Sequence, residues 1–209
     1  MADGLTVTQN PVKDIDAGGF PKQTKGMTVA SGQNLVAGQI VAVPRVGAIA
    51  APAAVAGNTG NGTVTGTITA GARAVPGTYR VTCIATATNG GLFAIVAPNG
   101  EHAGHVRVGV AFTGSHLAGL TINDSTTDFA LGDAFTITVA AGNNKCVAYN
   151  AAQPHDIVGV LAEDTNATSA DTPATIITAA NLLRTGLTGY TDALETPLRL
   201  LNLFVKESY

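Results

Sequence analysis

The chain has 209 residues, of which 12% are charged and 5% aromatic, with 25 Gly, no Trp and a formal net charge of −3. That length holds one sizeable core or two small ones. The near-neutral balance excludes the basic footprint that a direct nucleic-acid binder needs. Sparse charge with many small and β-branched residues suits short strands and tight turns, so the expected fold class is mainly β.

Residues 1–25 carry Pro11, Gly18, Gly19 and Pro21, with Lys13, Lys22 and Lys25 balanced by Asp3, Asp14 and Asp16 and no apolar period. This composition reads as an extended N-terminal arm that orders only on a partner. A strand starts at Met27–Val29, Ser31–Asn34 is a turn, and Leu35–Val43 continues in extended form with a bend at Gly38. Residues 44–61 form an Ala/Pro/Gly linker that runs into the glycine-rich stretch 57–62, GNTGNG. The Lys and Ser/Thr of a phosphate loop are missing there, so the stretch reads as a flexible boundary. No basic and apolar leader pattern opens the sequence, and the apolar run 46–56 is too short and too rich in Ala and Pro for a bilayer span. A soluble protein made in a cytoplasm, without membrane contact, is expected.

The middle of the chain alternates at period two. Residues 63–69, 78–86, 92–96, 105–111, 117–122 and 134–139 each read as a strand, separated by turn residues such as Pro76-Gly77, Asn89-Gly90 and Gly132-Asp133. Strands of this length and spacing indicate an antiparallel sandwich-like domain. Further strands are expected at 146–149, 157–161 and 174–178. A helical turn is expected before Pro197, and 198–205 reads as a strand or an amphipathic element. Cys83 and Cys146 lie in apolar strand contexts and read as buried free thiols rather than a disulfide framework.

No group of residues reads as a catalytic centre, and no cofactor is expected. His102 and His105 form an H-x-x-H pair, but on a regular strand i and i+3 point to opposite faces and do not share a metal. Ser115 and His116, with Asp124 and Asp128 nearby, supply the residue types of a hydrolytic triad without the nucleophile elbow. Asp124, Asp128 and Asp133 lack the spacing and terminal Glu of a calcium loop, and read as turn-capping residues.

Three pieces carry a family resemblance: TVASGQNLVAGQIVAV (28–43), NKCVAYNAAQPHDIVGVLAEDTNAT (144–168) and TPATIITAANLLRTGL (172–187). In order and spacing they resemble the lambda-type head decoration protein D family of tailed bacteriophages. On this likeness residues 26–44 and 141–209 form a discontinuous decoration-protein core, interrupted by an inserted β domain at 45–140. The insert resembles β domains of phage structural proteins. The resemblance implies a homotrimer at local three-fold sites on the outside of an expanded capsid, clamping the major capsid protein. It also implies an arm, residues 1–25, that orders on the capsid partly by strand addition, with Val12, Ile15, Phe20, Met27 and Val29 as the apolar residues of the contact. Contacts with a host surface would fall to the insert. The rival readings are an adhesin or carbohydrate-binding module acting through the insert, and a small hydrolase. The first is weakened because the insert holds Tyr79 as its only Tyr and the chain has no Trp; the second lacks its motif.

Overall fold

The computed structural model of the protein describes residues 15–207. It is mainly β and divides into two compact units. Unit 1 comprises residues up to Ala42, Cys146–Tyr149 and residues from Ile157 onward. Unit 2 comprises Val43–Lys145 and Asn150–Asp156. The expected insert, 45–140, lies inside unit 2. The unit also takes in residues 150–156, because Arg45 N–H donates to the Pro154 carbonyl at 2.8 Å and the Arg45 guanidinium lies 3.6 Å from the Asp156 carboxylate.

In chain order, β1 (Gln23–Val29), β2 (Gln33–Leu35) and β3 (Ile40–Pro44) come first. Unit 2 follows with β4 (Val46–Ile49), β5 (Ala53–Ala54), β6 (Thr63–Thr65), β7 (Thr69–Ala70), β8 (Gly77–Ala87), β9 (Gly90–Val96), β10 (His102–Arg107), β11 (Leu117–Ala118), β12 (Thr121–Asn123) and β13 (Ala134–Ala141). The chain then makes β14 (Val147–Ala148), β15 (His155–Leu161), β16 (Thr165–Ala167) and β17 (Thr172–Leu183). It ends with the helix α1 (Glu195–Leu200) and β18 (Leu203–Lys206).

Unit 1 is built on a sheet of order β1-β17-β15-β3-β14, with β18 running parallel to β17, and β2 and β16 as a separate pair. Its core is Ile15, Ile40, Val160, Ile177, Leu182, Leu194, Leu198 and Leu203. Each fully buried aliphatic side chain contributes roughly 1.5–3 kcal/mol by leaving water. β17 runs well past the expected 174–178 because Ile176, Ile177, Ala179, Ala180, Asn181 and Leu182 are all buried. A strand covered on both faces loses the alternation that reveals a half-exposed one.

From Ile15 onward the expected free arm is corrected. Residues 1–14, Val12 among them, lie outside the described residues. From Ile15 onward the segment lies on the unit 1 sheet: Leu183 N–H donates to the Ile15 carbonyl at 2.9 Å, Ala17 N–H to the Asn181 carbonyl at 2.9 Å, and the Asn181 amide to the Gly18 carbonyl at 2.7 Å. β1 begins at Gln23 rather than Met27, in antiparallel register with β17. The arm's composition hid this because its backbone bonds to β17 require no side-chain period.

Unit 2 has an antiparallel sheet of order β10-β9-β8-β13-β4, with β5 also on β13. The short ladders β6/β12 and β7/β11 supply Leu117 and Ile122, and the connection between β11 and β12 supplies Leu120, to the same core as Tyr79, Val81, Phe93, Ile95, Phe135 and Ile137. The result is sandwich-like, as the alternation in β8 and β13 predicts. Phe93, Phe129 and Phe135 pack as a trio with ring centroids 4.9–6.1 Å apart, in the edge-on and tilted arrangements that aromatic quadrupoles favour.

The expected linker 44–61 is also structure. β4 and β5 pair with β13. The glycine-rich stretch is pinned: Thr59 N–H and Gly60 N–H donate to the Asp133 carboxylate at 2.9 and 2.8 Å, and Asn58 exchanges two hydrogen bonds with the Ala134 backbone. A Cβ on Gly62 would lie 2.3 Å from the Phe129 ring and 2.4 Å from the Asn123 carbonyl oxygen, so close packing, not mobility, explains glycine there. Among the described residues no helix is long and apolar enough to cross a membrane.

Candidate functional site

The residues assigned to the arm contact separate into core and surface. Ile15 is 6% exposed and belongs to the unit 1 core, and Val29 is fully buried. Neither is available to a partner, which corrects their assignment as contact residues. Met27 is half-buried, with its sulfur 3.8 Å from the Cys146 thiol. Phe20 is 38% exposed and packs edge-on against Phe204, ring centroids 5.5 Å apart.

The remaining accessible feature is the strand that follows Phe20. β1 is the terminal strand of its sheet, with Gln23, Thr24, Lys25 and Gly26 exposed. On its side away from β17 the described residues make backbone bonds only near the far end, where Cys146 N–H donates to the Thr28 carbonyl and Ala30 N–H to the Cys146 carbonyl. Among the described residues no other strand pairs with Gln23–Gly26 on that side, the Gln23 carbonyl takes the Thr178 hydroxyl at 3.4 Å, and Phe20, three residues before β1, exposes an aromatic ring. Such an edge can take an added strand, with affinity coming from main-chain bonds and no need for a charged patch. Elsewhere on unit 1, Leu200 of α1 is 81% exposed.

The polar candidates do not assemble into a catalytic group. His116 is buried, and its Nε2 lies 3.3 Å from the Glu101 carboxylate, out of line for a hydrogen bond; among the described residues neither ring nitrogen has a hydrogen-bond partner. Burial lowers its pKa from the ordinary histidine value, against the pull of Glu101 and with the help of Arg73. Arg73 is ion-paired with Glu101. The Ser115 carbonyl accepts Arg73 N–H at 2.9 Å, and neither ring nitrogen of His116 is hydrogen-bonded to the Ser115 hydroxyl.

Asp133 is caged by three backbone N–H groups, from Thr59, Gly60 and Ala130. Asp128 accepts Asn89 N–H at 2.8 Å, and both Asp124 oxygens are buried without a hydrogen-bond partner among the described residues. Among the described residues no three His, Cys, Asp or Glu side chains gather as a metal centre. The two cysteines are free and buried, and burial raises both thiols.

Sequence reasoning placed His102 and His105 on opposite faces. The structure brings them together, with ring centroids 4.4 Å apart and His102 Nε2 3.3 Å from His105 Nδ1. The cause is a bulge in β10: His102 pairs with Val96 and Gly104 with Ile95, so the strand carries one extra residue between them.

Unit 2 exposes no aromatic ring of the sugar-stacking kind. Tyr79, Phe93, Phe112, Phe129 and Phe135 are all buried, and the Tyr79 hydroxyl is taken up by Val75 N–H at 3.0 Å.

No protein-family model and no curated protein matches this sequence. Among solved structures, the chain is similar to Xanthomonas campestris FlgL in two crystal forms, each at 17% identity and a TM-score of 0.34. The match covers 51% of this chain and 33% or 32% of FlgL, so the likeness spans about a third of that protein. A likeness this slight carries no argument about what the chain does.

Proposed function

We propose that the protein is a bacteriophage capsid decoration protein, binding as trimers at local three-fold sites outside an expanded head and stabilising it against packaged DNA. The reading rests on the decoration-family resemblance of residues 28–43, 144–168 and 172–187. The observation that carries it is the open edge of β1 at Gln23–Gly26 beside Phe20. An edge of this kind suits a partner that contributes an extended segment, the mode the resemblance implies for the major capsid protein. Many copies on one shell multiply a small gain per site. The rival reading, a carbohydrate-binding insert, is disfavoured because none of the Phe or Tyr rings of unit 2 is available for stacking on a sugar.

The test is to mix the purified protein with expanded and unexpanded tailed-phage heads and locate it by cryo-electron microscopy. The expected result is three-fold clusters on expanded heads, with capsid-protein chain running along Gln23–Gly26. Phe20→Asp should weaken this binding about tenfold, the equivalent of about 1.4 kcal/mol. Single copies, five-fold placement or no difference between wild type and variant would overturn the reading.

A further inference from the structure

We propose that His102 and His105 form a surface site for a divalent transition-metal ion, with a bite matched to tetrahedral zinc and water filling the remaining positions. The argument starts from the register of β10 on β9. His102 pairs with Val96 and His105 with Ala94. Val96 and Ala94 are two residues apart on β9 and share a face, so the bulge puts both histidines on that face.

Gly104 makes the bulge possible. Its φ is +131°, and a Cβ there would lie 2.9 Å from the Phe112 ring, which is 8% exposed and fills the space beneath. The placement of both histidines on one face is therefore built into the backbone and a packed aromatic ring.

The distance fits metal chemistry. Two Zn–N bonds of about 2.0–2.1 Å at the tetrahedral angle hold their nitrogens about 3.3–3.4 Å apart. His102 Nε2 and His105 Nδ1 are 3.3 Å apart, and both side chains are exposed to an incoming ion. In the metal-free protein this contact is a hydrogen bond, with a proton on one of the two nitrogens. Metal binding moves that proton to the other nitrogen of the same ring, so both rings stay neutral and both facing lone pairs bind the ion.

Glu101, next in sequence, is engaged by Arg73 and lies against His116. It does not complete the shell, so the site is open to water. By the usual order of divalent-ion affinities, Cu²⁺ should bind it more tightly than Zn²⁺ despite the tetrahedral bite.

The experiment uses the intact chain. Titrating it with ZnCl₂ in a calorimeter should give one ion per chain, and CuCl₂ should bind more tightly. His102→Gln and His105→Gln should each weaken zinc binding about tenfold or more, while His155→Gln leaves it unchanged. Circular dichroism should be the same for all forms, since both side chains are on the surface. Independently of any variant, zinc added to the wild-type protein should shift the His102 and His105 ring signals in NMR spectra and leave those of His116 and His155 in place. Absence of binding, binding that survives both substitutions, or ring shifts confined to the other histidines would overturn the proposal.

Discussion

The Asp133 carboxylate occupies the cradle that the glycine-rich stretch would offer a phosphate: backbone N–H groups of Thr59 and Gly60 point at it, joined by that of Ala130. Burial pushes its pKa up, but the bonds from Gly60, Ala130 and Thr59 outweigh burial and hold it below the ordinary carboxylate value. Asp133→Ala leaves buried donors without acceptors, so unit 2 should lose about 3 kcal/mol in urea unfolding. A depressed carboxylate pKa means this contribution is present at neutral pH and is lost as pH falls from the ordinary carboxylate value through the folded one. His116 works at a higher pH. Its folded pKa is lowered, chiefly by burial, so the unfolded chain takes up a proton that the folded chain resists. Stability from the neutral ring is complete above about pH 6.5 and declines below it. His155, lowered by burial and by Arg45, acts in the same direction. His116→Phe should flatten the fall in melting temperature between roughly pH 6.5 and 5, leaving the share of His155. An unchanged slope in scanning calorimetry would show that His116 is not the group responsible.

The segment leading into β1 and the strand itself make a graded prediction. Removing residues 1–14 keeps Ile15 and all of β1. Removing residues 1–25 takes Ile15 out of the core and deletes Gln23, Thr24 and Lys25 from the β17 register. The shorter cut is the reference form, against which the longer cut should melt at a lower temperature. The longer cut should cost at least the 2–5 kcal/mol typical of emptying a buried isoleucine site, a figure of about the size expected for Ile15→Ala alone. Equal melting of the two truncated forms would refute the packing of Ile15–Lys25. How far such elements can be read from the sequence depends on burial. β8 and β13 were legible because one face is buried and the other is not: Tyr79, Val81 and Cys83 turn inward between Arg80 and Thr82, and Phe135, Ile137 and Val139 do the same. β17 was legible only in part because it is covered along most of its length. β4 and β5 were missed because Ala, Gly and Pro give no alternation, and their pairing depends on β13, far along the chain. In the candidate site, Phe20 was legible as an apolar residue in a polar segment. The burial of Ile15 and Val29 was not, because an isolated apolar residue carries no sign of which surface it meets. The meeting of His102 and His105 was hidden by a one-residue bulge that only the register with β9 reveals.

The two units invite separation at a definite place. Ala42 and Val147 are antiparallel partners on β3 and β14, so the chain leaves unit 1 and re-enters it at adjoining positions, the arrangement in which domain insertion is tolerated. Replacing residues 44–145 by a two-residue Asn-Gly turn should leave unit 1 folded, because Val43 and Cys146 then flank the turn in register with Ala42 and Val147, and such a turn closes an antiparallel pair directly. Circular dichroism and a cooperative melt check this; an unfolded product would mean that the units depend on one core. In the intact protein, by contrast, the β3–β14 pair can form only by closing a loop of about a hundred residues, and a tenfold shorter loop is cheaper to close by about 2 kcal/mol. Once unit 2 has folded, its own two ends are held by β4 and β13, whose register brings Val46 opposite Ala141. The loop that unit 1 must close is then short. The order of events during synthesis and refolding follows from this single pair of residues: unit 2 folds first and acts as the clasp for unit 1. The excised form, which has no such loop, should refold faster than unit 1 does in the whole chain.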